Sequence, residues 1–199
     1  RPQRTLMALE SIFNQTANKY ELLLTGDACP EFNKREFCDF IRFKQTDLKA
    51  QGNKLVCFNN DQHTGNWGSE IRDQHIADAT GELFMFMGSD DVLLPTHLEN
   101  IFKFFDENPQ LDFGYFDTYV EPNNAPRNAQ LQNGSIGHSE IIAKTAFIQK
   151  MPKHEHAYGH DWHLIQNMVN ATNNYKKAVN YPQTYIVKSI PGREEIGID

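Results

Sequence analysis

At 199 residues the chain is long enough for one large domain with a real core, and 39% hydrophobic and 23% charged residues are the proportions of an ordinary soluble globular protein. Nineteen Lys and Arg against 26 Asp and Glu leave a formal charge of −7, which argues against nucleic acid or an anionic membrane as the main partner. No stretch approaches the ~20 apolar residues of a membrane span, no secretory signal is read at the start, and Cys29, Cys38 and Cys57 suit neither a zinc site nor a disulfide framework, so free thiols and a cytoplasmic location (or a peripheral one at a membrane) are expected.

Leu6, Leu9, Ile12 and Phe13 recur at helical spacing, and Tyr20 to Leu24 reads as a strand. The pattern returns to helix over 30–44 through Phe37, Phe40 and Ile41, and Leu55 to Phe58 is a short buried strand. Ser69 is positioned to cap a helix carrying Ile71, Ile76 and Ala79, with Gly81 just past its end. The apolar run Leu83 to Met87 predicts a strand, and the helix through Leu98, Ile101, Phe102 and Phe105 stops at Asn108-Pro109. Phe113 to Val120 predicts one further strand; the polar, turn-rich stretch 121–135 predicts a long mobile loop; helices are expected over 138–150 and 160–172, with a strand near Thr184 to Val187. Such alternation is the pattern of βαβ units on a mostly parallel sheet. The chain opens on a helix where that fold opens on a strand, so trimmed upstream residues, and membership in a longer polypeptide, are expected.

Two adjacent carboxylates, Asp90 and Asp91, follow the run ending at Met87 and precede Leu94-Pro95. In open α/β sheets the carboxyl ends of strands open into the ligand crevice. Adjacent carboxylates repel, and a cation relieves the repulsion, although an acidic turn alone explains the pair equally well. Gly65-Asn66-Trp67-Gly68 is a turn that lets backbone approach a ligand, and Arg72 in the helix behind it carries a fork suited to phosphate oxygens, or else is a solvated surface arginine.

These residues resemble the family 2 glycosyltransferases of GT-A fold. The resemblance rests on Leu9-Glu10-Ser11-Ile12, Gln15-Thr16, Tyr20 to Leu23, Gly26-Asp27, Gly65-Asn66, Arg72, Ile76, Ala79-Thr80-Gly81-Glu82, Gly88-Ser89-Asp90-Asp91 and Leu94-Pro95, in that order. It is dense over residues 1–105 and sparse beyond. It implies an α/β, GT-A type domain with a mostly parallel central sheet flanked by helices. The single domain would divide into a nucleotide-binding half, 1–105, and an acceptor-binding half, 106–199. The implied activity is metal-dependent transfer of a sugar from a nucleotide-diphospho-sugar, UDP-sugar above all, to a hydroxyl of a glycan, a lipid-linked or another acceptor, with inversion. Asp27 would contact the base, Arg72 and Asn66 would lie in the nucleotide site, Asp90 near the ribose, and Asp91, with Asp90, on Mn²⁺ or Mg²⁺. Gly88 stands where many members carry a leading aspartate.

Further on, Asp161 matches the acidic residue that serves as general base at a helix start, and His160 replaces a frequent Glu. Read alone, Asp161 is first of all a helix cap. Trp162 beside it is the expected acceptor contact, and His138 joins the acceptor pocket. The histidines at 138, 154, 156, 160 and 163 fit no standard zinc spacing. Lys188 and Arg193 form either a basic lid over the diphosphate or a frayed end. Two alternatives remain at this point, a nucleotidyltransferase of the same fold and a non-catalytic sugar-binding domain.

Overall fold

The computed structural model describes residues 2–120, 125–178 and 185–187. Its first helix, α1 (Pro2–Phe13), buries Leu9 and Ile12, and its end is tied to a later part of the chain. The Gln15 side chain donates to Leu94 O at 2.9 Å and accepts the Leu98 N–H at 3.0 Å, while Leu93 N–H donates to Ser11 Oγ at 3.1 Å. The segment just after Asp91 is thereby held by α1.

Strands β1 (Glu21–Gly26) and β2 (Lys54–Asn59) pair in parallel over six residues, joined through α2 (Arg35–Ala50), whose Ile41 and Leu48 pack with Leu9 and Leu55. The chain continues through α3 (Ser69–Asp78) to β3 (Leu83–Met85). Glu21, at the start of β1, accepts from the Thr80 N–H and hydroxyl just before β3, both at 2.9 Å, and Leu22, Met85 and Met87 all pack against the Ile12 and Leu93 cluster. Strands β1 and β2 run the same way, and the carboxyl ends of β1, β2 and β3 lead into Asp27, the 60–68 loop and Asp90-Asp91.

Beyond β3 come β4 (Val92–Leu93), α4 (His97–Glu107), β5 (Phe113–Tyr115), β6 (Thr118–Val120), β7 (Ala125–Arg127), β8 (Ile141–Lys144), α5 (Thr145–Ile148), α6 (His160–Ala171), β9 (Tyr175–Lys177) and β10 (Tyr185–Val187). Two four-stranded sheets, ordered β3-β8-β5-β9 and β4-β10-β6-β7, accompany the β1-β2 pair. Pairing is mixed: β5–β9 and β6–β10 are parallel, and β3–β8, β5–β8, β4–β10 and β6–β7 antiparallel. The main core, built on Phe113, Ala143, Ile165 and Met168, lies between the β3-β8-β5-β9 sheet and α6.

Four local expectations change. Residues 138–150 are not one helix. A short 3-10 turn over His138–Glu140 gives way to β8, because Ile141, Ile142 and Ala143 are all buried between β3 and β5 and carry no one-sided periodicity. The strand expected over 113–120 is two, broken where Phe116 N–H bonds to Glu140 O and Asp117 takes the Ala129 N–H and pairs with Lys177. Within the expected loop, 125–127 form β7 and both Ala129 and Ile136 are buried. Gly68, in left-handed backbone, takes the cap position before α3, and the Ser69 hydroxyl instead donates to Asn66 O. Cys29, Cys38 and Cys57 are free, no helix among the described residues is long and apolar enough to cross a membrane, and Lys188 and Arg193 lie outside the described residues.

Candidate active site

Gly88-Ser89-Asp90-Asp91 is a tight turn closed by a 3.2 Å bond from Asp91 N–H to Gly88 O. Both carboxylates curl back over Gly88. A Cβ there would stand 2.5 Å from Asp91 Oδ2 and 3.4 Å from Asp90 Oδ1. Gly88 thus replaces a leading aspartate with the space into which Asp91 folds. The Asp91 side chain is buried, 4% exposed, and Ser139 Oγ lies 3.5 Å from its Oδ2. Among the described residues no group of three or more His, Cys, Asp or Glu is arranged to hold a metal ion. Two convergent carboxylates do fit a hard cation that takes its remaining ligands from water and a diphosphate.

Asp27, at the carboxyl end of β1, faces the loop after β2. It accepts the Thr64 N–H at 2.8 Å and lies 3.4 Å from His63. Partial burial works to raise its pKa, but the Thr64 bonds and His63 outweigh it, so the carboxyl is held below its usual range. The same loop ends in Gly65–Gly68, where Asn66 and Trp67 both take left-handed backbone, with φ of 49° and 52°. For side chains with a Cβ this costs roughly 1–2 kcal/mol each. Polar ties hold it: an Arg72 guanidinium N–H donates to Trp67 O, the Ser69 hydroxyl to Asn66 O, the Gly68 N–H to Gly65 O, and Asn66 Nδ2 lies 3.3 Å from His156 Nδ1. Burial lowers the Arg72 pKa, and the negative charge of Asp161 opposes that shift.

The acceptor side converges on residues 137–140. Glu140 is fully buried, accepting the Thr118 hydroxyl at 2.9 Å and the Gly137 N–H at 2.8 Å, with Arg127 Nε 3.5 Å away. Its pKa rises, through burial first and then Asp91, against the lowering by Arg127, Gly137 and Thr118. A Cβ on Gly137 would stand 3.2 Å from Asp161 Oδ2 and 3.5 Å from Glu140 Oε2. One short segment therefore touches Asp91 through Ser139 and passes close to Asp161 at Gly137. Asp161 is the second residue of α6, behind the left-handed cap Gly159, where the helix dipole favours a negative charge. It is not the cap itself; its Oδ1 accepts the Trp162 N–H at 2.8 Å.

A hydrogen-bonded chain lies beside it. Asp73 Oδ1 is 2.6 Å from His154 Nδ1, and His154 Nε2 is 2.8 Å from His138 Nε2. A carboxylate has no hydrogen to give, so His154 carries its proton on Nδ1 and accepts at Nε2, and His138 donates from Nε2. That leaves the His138 Nδ1 lone pair as an acceptor. Burial, then Arg72, holds His138 well below the usual histidine range; burial also lowers His154 and His160. The His160 ring stacks near Trp67, with centroids 6.3 Å apart, and lies 5.3 Å from that of His138. Trp162 is half-buried against the main core.

The structure thus brings Asn66, Arg72, His138, His160 and Asp161 into one neighbourhood, joined to Asp90 and Asp91 through Ser139, while Asp27 sits across the β1 and β2 ends. Sequence reasoning passed over Glu140 and Asp73, and weighed His154 only as one of a group of histidines that fits no zinc spacing. Glu140 was open to detection as an acid abutting the apolar run Ile141 to Ala143, whereas Asp73 and His154 meet across 81 residues and carry no local signal.

Residues 1–170 match the family model described as Glycosyl transferase family 2, and the chain belongs to that family. A comparison with curated proteins finds no match. Among solved structures, TarS 1–349 of S. aureus aligns with a TM-score of 0.72 at 16% identity, covering 94% of this chain and 57% of that one. The same fragment in complex with UDP gives 0.75 at 14%, with coverages of 96% and 58%. The mannosyltransferase PcManGT from Pyrobaculum calidifontis, in complex with GDP-Man and Mn²⁺, gives 0.65 at 13%, with 96% and 55%. The chain spans less than two thirds of the length of these neighbours, and at such identities the likeness is one of fold. The fold is the α/β, GT-A type.

Proposed function

We propose that this domain transfers a sugar from a nucleotide-diphospho-sugar, with UDP the first nucleotide to test, to an acceptor hydroxyl with inversion, and that the transfer depends on a divalent metal. The observation that carries the reading is that one segment, Gly137 to Glu140, reaches Asp91 through Ser139 and lies close to Asp161 at Gly137. A metal-binding acid and a basic acid placed around one small space are what a displacement at an anomeric carbon requires. The neighbours solved with UDP, and with GDP-Man and Mn²⁺, support the donor class and the metal.

In this reading Asp91 and Asp90 hold Mn²⁺ or Mg²⁺ against the diphosphate. When bound, that ion neutralises charge gathering on the leaving group. Asp27, with its lowered pKa, receives the nucleoside side, and Arg72 and Asn66 line the path between nucleotide and acceptor. Asp161 accepts the acceptor's hydroxyl proton as its oxygen bonds to the anomeric carbon, while the bond to the diphosphate oxygen breaks on the opposite face. The Arg72 guanidinium interacts with the Asp161 charge, and His138 and His160 border the acceptor. Residues 1–105 form the nucleotide half and 106–199 the acceptor half, and the three free thiols suit a reducing, cytoplasmic setting.

The test is transfer from a panel of UDP- and GDP-sugars by wild type and Asp161→Asn. Loss of transfer by roughly 10²–10⁴-fold, with nucleotide binding retained, is expected of a general base. Near-normal turnover by Asp161→Asn removes the base from the scheme.

A further inference from the structure

Two large aromatic side chains are left open to solvent beside Asp161. Trp67 is 62% exposed and Tyr158 is 89% exposed, and their rings meet edge to face with centroids 6.3 Å apart. Neither belongs to a core cluster. Trp67 is held outward by the left-handed backbone at Asn66 and Trp67, and by the bond from Arg72 to its carbonyl oxygen. The same Arg72 carries the charge that interacts with Asp161, and the Trp67 ring stacks near that of His160, the residue before Asp161. The aromatic pair and the acid are thus parts of one framework.

From this juxtaposition, and resting on the transfer reading above, we infer that Trp67 and Tyr158 form a stacking platform for a pyranose ring, so that the acceptor is a glycan rather than a protein or lipid hydroxyl. A pyranose presents a face of C–H bonds to an aromatic ring while its edge carries hydroxyls. The platform has the matching character: two rings, flanked by the hydrogen-bonding groups of Asn66, His156, His160 and Asp161. A lipid chain or a protein interface calls for a broad contiguous apolar patch, and two rings in a polar rim do not supply one. Because Trp67 and Tyr158 lie outside the metal and base positions, they set acceptor binding and leave donor binding alone.

The experiment uses the fact that the chain has only two tryptophans, Trp67 and Trp162. The indole N–H resonances of the full chain are followed by NMR during titration with methyl glycosides of glucose, galactose, mannose and N-acetylglucosamine, and with their disaccharides. The Trp67 signal moves with at least one of these while that of Trp162 stays, and Tyr158→Ala weakens the response about tenfold or more with the UDP and Mn²⁺ melting shift unchanged. Immobility of Trp67 with every sugar overturns the platform, as does an undiminished response in Tyr158→Ala, or a Trp67 signal that moves only with protein concentration or lipid vesicles. If neither UDP nor GDP with Mn²⁺ stabilises the wild type, the transfer reading fails, and the glycoside result still decides the platform.

Discussion

Asp91 and Gly88 form a pair in which one residue's absent side chain positions the other. The carboxylate occupies the volume a Cβ would need, at 2.5 Å, so Gly88→Ala is expected to push Asp91 out of its turn. Nucleotide affinity in the presence of Mn²⁺ then falls about tenfold or more by calorimetry, with melting temperature little changed in the absence of ligand. Unchanged affinity assigns the metal to other groups. At this scale the strand end carrying Asp90-Asp91 and the helix start carrying Asp161 were legible from local pattern, while the roles expected of these acids came from the family resemblance. What pattern could not reveal is what surrounds them. Glu140 is hidden in a stretch that reads as helix, and Asp73 reaches His154 only through the folded chain. The orientation of His138, with Nδ1 unprotonated, follows from that long-range contact and not from any motif.

Elements were legible where one face is apolar and the other wet, and obscured where both are buried. α1, α2, α4 and α6 carry stripes that a helical period reveals; α1, α4 and α6 lie close to their expected ranges, whereas the expected 30–44 becomes a 3-10 turn over Pro30–Asn33 followed by α2. β8 carries three consecutive buried residues, and β9, the last strand of its sheet among the described residues, reads Tyr-Lys-Lys, with no apolar run to mark it. Packing between elements is tight where α4 meets β5. A Cβ on Gly114 would stand 2.6 Å from the Phe104 ring. Gly114→Ala is therefore expected to destabilise the fold by about 1–3 kcal/mol in urea unfolding, with the loss partly recovered by adding Phe104→Leu. A Gly114→Ala protein as stable as wild type contradicts this packing.

For the whole molecule, buried histidines make stability a function of pH. Burial lowers the pKa of His97 from 6.5 to about 3, so the unfolded chain binds a proton below pH 6.5 that the folded chain refuses. Stability is full above pH 6.5 and falls as pH drops toward 3, by about 2 kcal/mol from this residue alone at pH 5. The slope of melting temperature against pH between 7 and 5 is expected to be shallower in His97→Leu, and an identical slope means that other groups govern it. The account as a whole stands on a divalent ion joining Asp91 to a nucleotide diphosphate, and a thermal shift measures that joining directly. Wild type is to be heated with UDP or GDP, with and without Mn²⁺, beside Asp91→Asn and Asp161→Asn. At ligand about a hundredfold above its dissociation constant, binding contributes about 2.7 kcal/mol. A rise in melting temperature that needs nucleotide and Mn²⁺ together, is kept by Asp161→Asn and is lost by Asp91→Asn is the predicted result, and an equal rise in Asp91→Asn, or none in wild type, contradicts it.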